Sequence, residues 1–224
     1  YLKFLDDCEK RYVFGFEGLG RKPMNKLWDL VKELPGFVRL RADRSVYAHV
    51  STRVKDPKFR MALSFHPLFI GGDPRNVTSM YILVSHLEKA FGVHYVKGGV
   101  QALADAMANV VKDQGGQVLL NSNVARISVN NHKSDGVILE NGLKLNADIV
   151  VSNADPGWTY DKLLPAHKKR RWSRNKLKKS RWSMGLFVWY FGTRNTREKW
   201  QDVGHHTIIN GPRYRGLLSD IFDK

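Results

Sequence analysis

Apolar residues recur at helical spacing through the first third of the chain and bunch into short β-prone runs through the rest. Leu2, Leu5, Cys8, Tyr12, Phe16 and Leu19 share one face of a helix over residues 1–20, which the cluster Gly18-Leu19-Gly20 ends. A second helix is expected over residues 24–34, closed by Pro35-Gly36. A third, over about 39–55, turns Val46, Tyr47, Val50 and Val54 inward and Arg39, Arg41, Arg44 and Arg53 outward. Asp56-Pro57 starts a brief helix through Leu63. The apolar segment 64–73 is broken by Pro67 and Gly71-Gly72, so it forms no single regular element. Asn76 and Thr78 offer caps for a helix with Met80, Leu83, Val84, Leu87 and Phe91 on one face, ending at Gly92.

From His94 onward the pattern changes. Gly98-Gly99 opens a helix whose apolar positions are Val100, Leu103, Met107, Val110 and Val111, and Gly115-Gly116 stops it. Strands are expected at 118–120 and 124–129, with Asn121-Ser122-Asn123 as the turn between them. Asn141-Gly142 between residues 136–140 and 143–145 is the signature of a hairpin with a type I′ turn. Residues 147–154 read as a buried strand. Residues 185–192 are apolar on both faces and read as a central strand, after which no closing element is expected. The order is helices, a β-rich middle, a basic link and another strand, without an evident linker. This is a mixed α/β class in which segments weave between two domains.

Composition adds three constraints. At 224 residues, 42% hydrophobic and 11% aromatic, the chain can bury a core and does not read as disordered. The lone cysteine, Cys8, lies on an apolar helical face, which suits a buried small hydrophobe and a reducing cytoplasm. No signal peptide is visible after Tyr1, and no apolar run approaches the roughly 20 residues of a membrane span. The net charge of +16 is concentrated, since nine basic residues and no acid fall between Lys168 and Arg181.

Few motifs survive inspection. None of the eight histidines has the i, i+4 spacing of a helical ligand pair, and no metal site is expected. Gly18-x-Gly20-x-x-Pro23 follows a helix and lacks the last glycine, so it is a helix stop. Neither a G-x-S-x-G elbow nor a P-loop occurs. The basic run from His167 to Trp182 reads as a solvated loop, as a membrane-surface patch with Trp172 and Trp182 at the interface, or as a nucleic-acid contact. No nucleic-acid motif accompanies it, so nucleic acid ranks last. Asp29 with Lys32, and Arg213 with Arg215, are ordinary surface residues by spacing alone.

Phrases along the whole chain resemble the bacterial carotenoid (phytoene) desaturases of the amine-oxidase-like flavoproteins. They are DRSVYAHV, LSFHPLFIGGDP, YVKGG with the helix after it, GGQVLLNSNVARI, ADIVVSNADP, GLFVWYFG and INGPRYRGLLSDIF. The resemblance implies an internal fragment of a two-domain protein with a discontinuous FAD domain. Residues 1–92 would be the helical part of the substrate domain, 93–157 the returning part of the FAD domain, and 158–224 a substrate-domain part with the basic segment. It implies FAD as cofactor, dehydrogenation of phytoene or a similar C40 or C30 polyisoprenoid, and a cytoplasmic protein peripheral to the inner face of the membrane. Val124 matches the strand position whose backbone meets the adenine, and Ser152, Asn153 and Ala154 match a strand end near the cofactor. Asp29 matches a carboxylate placed for proton handling, with Lys32 where relatives carry arginine; lysine keeps the charge and loses the planar fork. The glycine-rich dinucleotide motif is absent from these residues, so the chain by itself is expected to be inactive. Two other readings are a truncated basic module for membrane or nucleic acid, and a related carotenoid isomerase or later desaturase.

Overall fold

The computed structural model describes residues 1–165, 172–180, 182–196, 198–204, 207–209 and 211–223. It divides into two compact units, one of Tyr1–His94 with Ser183–Lys224 and the other of Tyr95–Trp182.

In the first unit, helix α1 (Leu2–Arg11) continues as a wider π-helical stretch, Tyr12–Gly18. The widening shifts the buried face away from simple 3.6-residue spacing. Phe4, Cys8, Arg11 and Tyr12 point inward, while Leu2 and Phe16 of the expected stripe are exposed. Helix α2 (Leu27–Arg39) runs through Pro35 instead of ending there. Phe14 supports its second half: its ring meets Phe37 edge-on at 5.3 Å and lies so close to Gly36 that a Cβ there would fall 2.2 Å from it.

The single helix expected over 39–55 is shorter. Arg41 adopts a left-handed φ of 52°, and helix α3 begins only at Val46 (Val46–Ser51), where Ser45 Oγ accepts the Ala48 amide. The chain before it is held by residues 77–79 instead. Thr78 Oγ1 donates to Ala42 O (2.7 Å), the Ser79 amide to Arg44 O (2.7 Å), and the Val46 amide to Val77 O (2.9 Å). Carbonyls engaged this way cannot continue a helix. Helix α4 (Pro57–Ser64) is capped by Asp56 as expected. A short 3₁₀ turn, Ser79–Ile82, capped by Thr78, leads into α5 (Leu83–Phe91). Phe4, Cys8, Val46, Val50 and Ile82 form the core of this unit, with Leu5, Leu63, Val77 and Tyr81 packed against it.

In the second unit Gly99 (φ 85°) opens α6 (Val100–Asp113), and Gly115 in left-handed conformation stops it. The apolar face of α6 is uncovered: Val100, Leu103, Met107, Val110 and Val111 are all exposed. Three antiparallel strands follow, β1 (Val124–Asn130), β2 (Lys133–Leu139) and β3 (Lys144–Asn146), in that spatial order. The two-residue turn with positive φ at both positions is Asn131-His132 between β1 and β2. Asn141-Gly142 also turns a hairpin, but only Gly142 is left-handed, and the Leu139 amide reaches Leu143 O across a three-residue loop. That is the bulged form and not the expected type I′ turn. Gly136 is required where β2 meets β3, because a Cβ there would lie 2.0 Å from Leu145 O. Short helices α7 (Pro156–Trp158) and α8 (Arg174–Lys178) complete the unit.

Three expected strands are not formed. Residues 118–120, 147–154 and 185–192 are irregular, with Val151 87% and Phe187 91% exposed. None finds a ladder partner among the described residues, and a strand without one leaves its amides to water. A closing element does exist: helix α9 (Tyr214–Phe222) buries Leu218 in the first unit.

Arg75 clamps α9 in place. Its Nε donates to both oxygens of Asp73, while Nη1 and Nη2 bond the two oxygens of Asp223 at 3.0 and 2.8 Å. Nη1 also reaches Ser219 Oγ (2.9 Å). Burial opposes its charge, but these carboxylates more than offset that and raise its pKa. Arg75→Ala leaves the buried Asp73 without its cation and should cost about 2 kcal/mol. Amide exchange across Tyr214–Phe222 should accelerate while the β1–β2 hairpin keeps its protection. Unchanged exchange in α9 would remove this clamp from the account.

Candidate functional site

The four cofactor candidates all lie in the second unit. Asp155 Oδ1 accepts the Trp158 amide (3.1 Å) and starts α7, which continues as a π-helical turn, Thr159–Leu163, packed against β1. Just before this cap, Ser152, Asn153 and Ala154 form an exposed irregular segment. Ser152 Oγ lies 2.9 Å from Thr159 Oγ1, which is 3.5 Å from Ala154 O. The segment is therefore tied back to the turn that follows it, while Asn153 faces water. Val124 starts β1 opposite Leu139 and is partly exposed. The unit thus places β1, with Val124 at its start, against the turn that follows residues 152–154.

Asp29 and Lys32 lie on the first two turns of α2 in the other unit. Asp29 is half-buried, and its Oδ2 accepts the Lys26 amide (3.1 Å), while the Asp29 amide returns to Lys26 O (3.0 Å). This reciprocal pair caps the helix, and a carboxylate in a first turn also complements the helix dipole. Lys32 is exposed and forms no ion pair with Asp29 among the described residues. The structure brings these two residues to one helix end but does not bond them to each other.

A buried polar cluster in the first unit escaped the sequence reading. Asp7 Oδ2 accepts Arg53 Nε at 2.6 Å and lies 3.0 Å from His49 Nε2. His49 Nδ1 is 3.4 Å from Arg11 Nη2. Arg11 Nη1 donates to Asp7 O (3.0 Å), and Nη2 to Leu40 O and Ser79 Oγ. Burial works against the Asp7 carboxylate, yet the hydrogen bonds and charges of Arg53 and His49 hold its pKa below the usual value. Burial and the neighbouring Arg11 charge push His49 down, against the pull of Asp7. Burial raises the Cys8 thiol to about 12, so this cysteine is inert packing. The sequence signal was the place of Arg11 on the Phe4 and Cys8 face of α1 at ordinary helical spacing; its i, i+4 relation to Asp7 resembles instead a surface ion pair.

With this geometry in view, comparison with known proteins is informative. The flavin containing amine oxidoreductase family matches residues 14–222. A phytoene desaturase (neurosporene-forming) of Cereibacter sphaeroides is 62% identical over 224 residues, all of this chain and 43% of that protein. The same enzyme of Rhodobacter capsulatus is 61% identical over 222 residues, 99% of this chain and 42% of that protein. A phytoene desaturase (lycopene-forming) of a Paracoccus species is 44% identical over 223 residues, 99% and 44% of the two chains. The chain spans less than half the length of these curated relatives. It belongs to the flavin-containing amine oxidoreductase family.

His49 gives a signed pH dependence. Its pKa in the fold lies below the ordinary histidine value of 6.5, so its contribution is complete above that pH and is lost as pH falls through the folded value. Asp7, held below 3.8, loses its contribution only at much lower pH. The thermal midpoint should therefore fall between about pH 7 and pH 5, and His49→Gln should flatten that slope. Equal slopes in the two proteins would show that His49 does not set this window.

Proposed function

Starting from that family membership, we propose that this chain is the middle part of an FAD-dependent desaturase of phytoene or a similar long polyisoprenoid in carotenoid biosynthesis. The observation that carries the reading is the end-to-end match to phytoene desaturases, 62% over all 224 residues and not confined to one motif. In this reading residues 1–92 are the helical substrate side, 93–157 return to the flavin domain, and 158–224 cross back. The separation of Tyr95–Trp182 as a compact unit supports the return.

The residues present suit a flavin nucleotide as secondary contacts. Residues 152–154 are exposed and without a strand partner among the described residues, and Ile149 and Val151 beside them present apolar surface. Val124 would meet the adenine through its backbone, and Ser152, Asn153 and Ala154 would run along the cofactor. The flavin, when bound, supplies the two-electron acceptor for hydrogens leaving a saturated carbon–carbon pair. Asp29 Oδ1, whose partner oxygen is fixed by the Lys26 amide, would take the accompanying proton, and Lys32 would supply positive charge at that helix end.

An apolar polyisoprenoid resides in a bilayer, so the segment around Trp172 and Trp182 is proposed to dock on the inner face of the membrane. Lys176 Nζ lies 4.2 Å over the Trp172 ring, Trp182 is exposed, and buried Leu177 anchors α8. Residues 166–171 and 181 of the basic run lie outside the described residues. Nucleic acid has no part in this reading.

Two experiments test it. The 224-residue chain should purify without flavin absorbance, whereas a full-length protein containing it should carry FAD and convert phytoene in cells that accumulate it. Asp29→Asn in that full-length protein should lower conversion about 10²-fold or more with FAD still bound. Stoichiometric flavin in the short chain, or full activity in Asp29→Asn, would contradict the assignment. Separately, the full-length protein should float with anionic liposomes and lose that binding as salt rises, more sharply when Lys176, Lys178 and Lys179 are replaced by Gln. Salt-independent flotation would exclude the basic segment as the dock.

A further inference from the structure

Charge balance in the buried cluster of the first unit is incomplete. Asp7 is its only carboxylate, and Arg53 and His49 occupy the Asp7 oxygen they share. Arg11, only 3% exposed, meets neutral acceptors alone: Asp7 O, Leu40 O, Ser79 Oγ and the His49 ring. Its Nε has no partner among the described residues. The Asp7 charge favours the Arg11 guanidinium against burial, but its carboxylate forms no hydrogen bond to it, and five donors on a planar fork suit an oxyanion.

Arg11 lines a cleft of about 940 Å³. The other cations along it are mostly neutralised: Lys10 by Asp6, Lys22 by Glu33, Arg53 by Asp7 and Arg41 by Asp43. Arg39 at the same cleft is exposed and has no ion pair among the described residues. Val13, Phe14, Leu19 and Leu40 supply an apolar wall. Two cations without a carboxylate bonded to them among the described residues, buried Arg11 and exposed Arg39, share one cavity with an apolar wall and one acid likewise unpaired, Glu9.

We propose that this cleft binds an amphipathic organic anion, its carboxylate or phosphate head on Arg11 with Arg39 at the rim, and its apolar tail along Val13, Phe14 and Leu19. The site is distinct from Asp29 and from residues 152–154, and does not depend on the desaturase reading.

The test uses hexanoate, hexyl phosphate and hexanol, all short enough to avoid micelles, titrated into the full-length protein that contains this chain. At least one anion should raise the thermal midpoint saturably and shift a single arginine Nε–H resonance that is missing from Arg11→Met; hexanol should do neither. The anion that acts identifies the head. Arg39→Gln, at an exposed position that folding does not need, should weaken binding about tenfold. If Arg11→Met fails to fold, the wild-type resonance shift and the Arg39→Gln titration decide the matter. No saturable response to either anion, an equal response to hexanol, or unchanged affinity in Arg39→Gln overturns the proposal.

Discussion

Every element that forms in this chain is one whose buried backbone amides find an acceptor close at hand. Helices satisfy themselves from within, and β1, β2 and β3 succeed because two tight turns bring the partner strand back within a few residues. Residues 42–46 and 77–79 satisfy each other across a longer loop, which is why α3 starts late. Segments whose partner does not lie among the described residues stay irregular however apolar they are. Phe187 and Val151 are almost fully exposed for that reason. The apolar stripe of α6 faces water for a different reason: its amides are paired within the helix, but no element among the described residues covers its side chains. These surfaces read naturally as faces prepared for further chain, in keeping with relatives more than twice as long.

Local signals were therefore the legible ones. Gly99 and Gly115 bracket α6, Asp56 caps α4, Thr78 caps the turn before α5, and Cys8 is buried, all as the residues indicate. Strand-forming runs that depend on distant partners were legible as composition but not as structure. Pro35 misled because Phe14, some twenty positions away, packs on Gly36 and carries the helix past it. Arg11 and His49 carry no burial signal, because a charged residue on a helix is normally solvated. The convergence of α1 with α3 buries them together.

The candidate site is legible in a different sense. The resemblance names its residues, and the structure gives three of them a local role that would exist without any cofactor: Asp29 caps α2, and Ser152 and Ala154 are tied to Thr159. Such fixed positions are compatible with chemistry, because a group held by its own helix end needs no reorganisation when substrate arrives. What these residues lack is the rest of the pocket. No dinucleotide motif occurs in the sequence, and the two candidate groups sit in separate compact units.

The central claim is that this chain works only as part of a longer flavoprotein. A native mass spectrum of the polypeptide from its source cells tests it most directly. The account predicts a mass more than twice the 25.7 kDa of these residues, with one FAD retained. A flavin-free species at 25.7 kDa would contradict it.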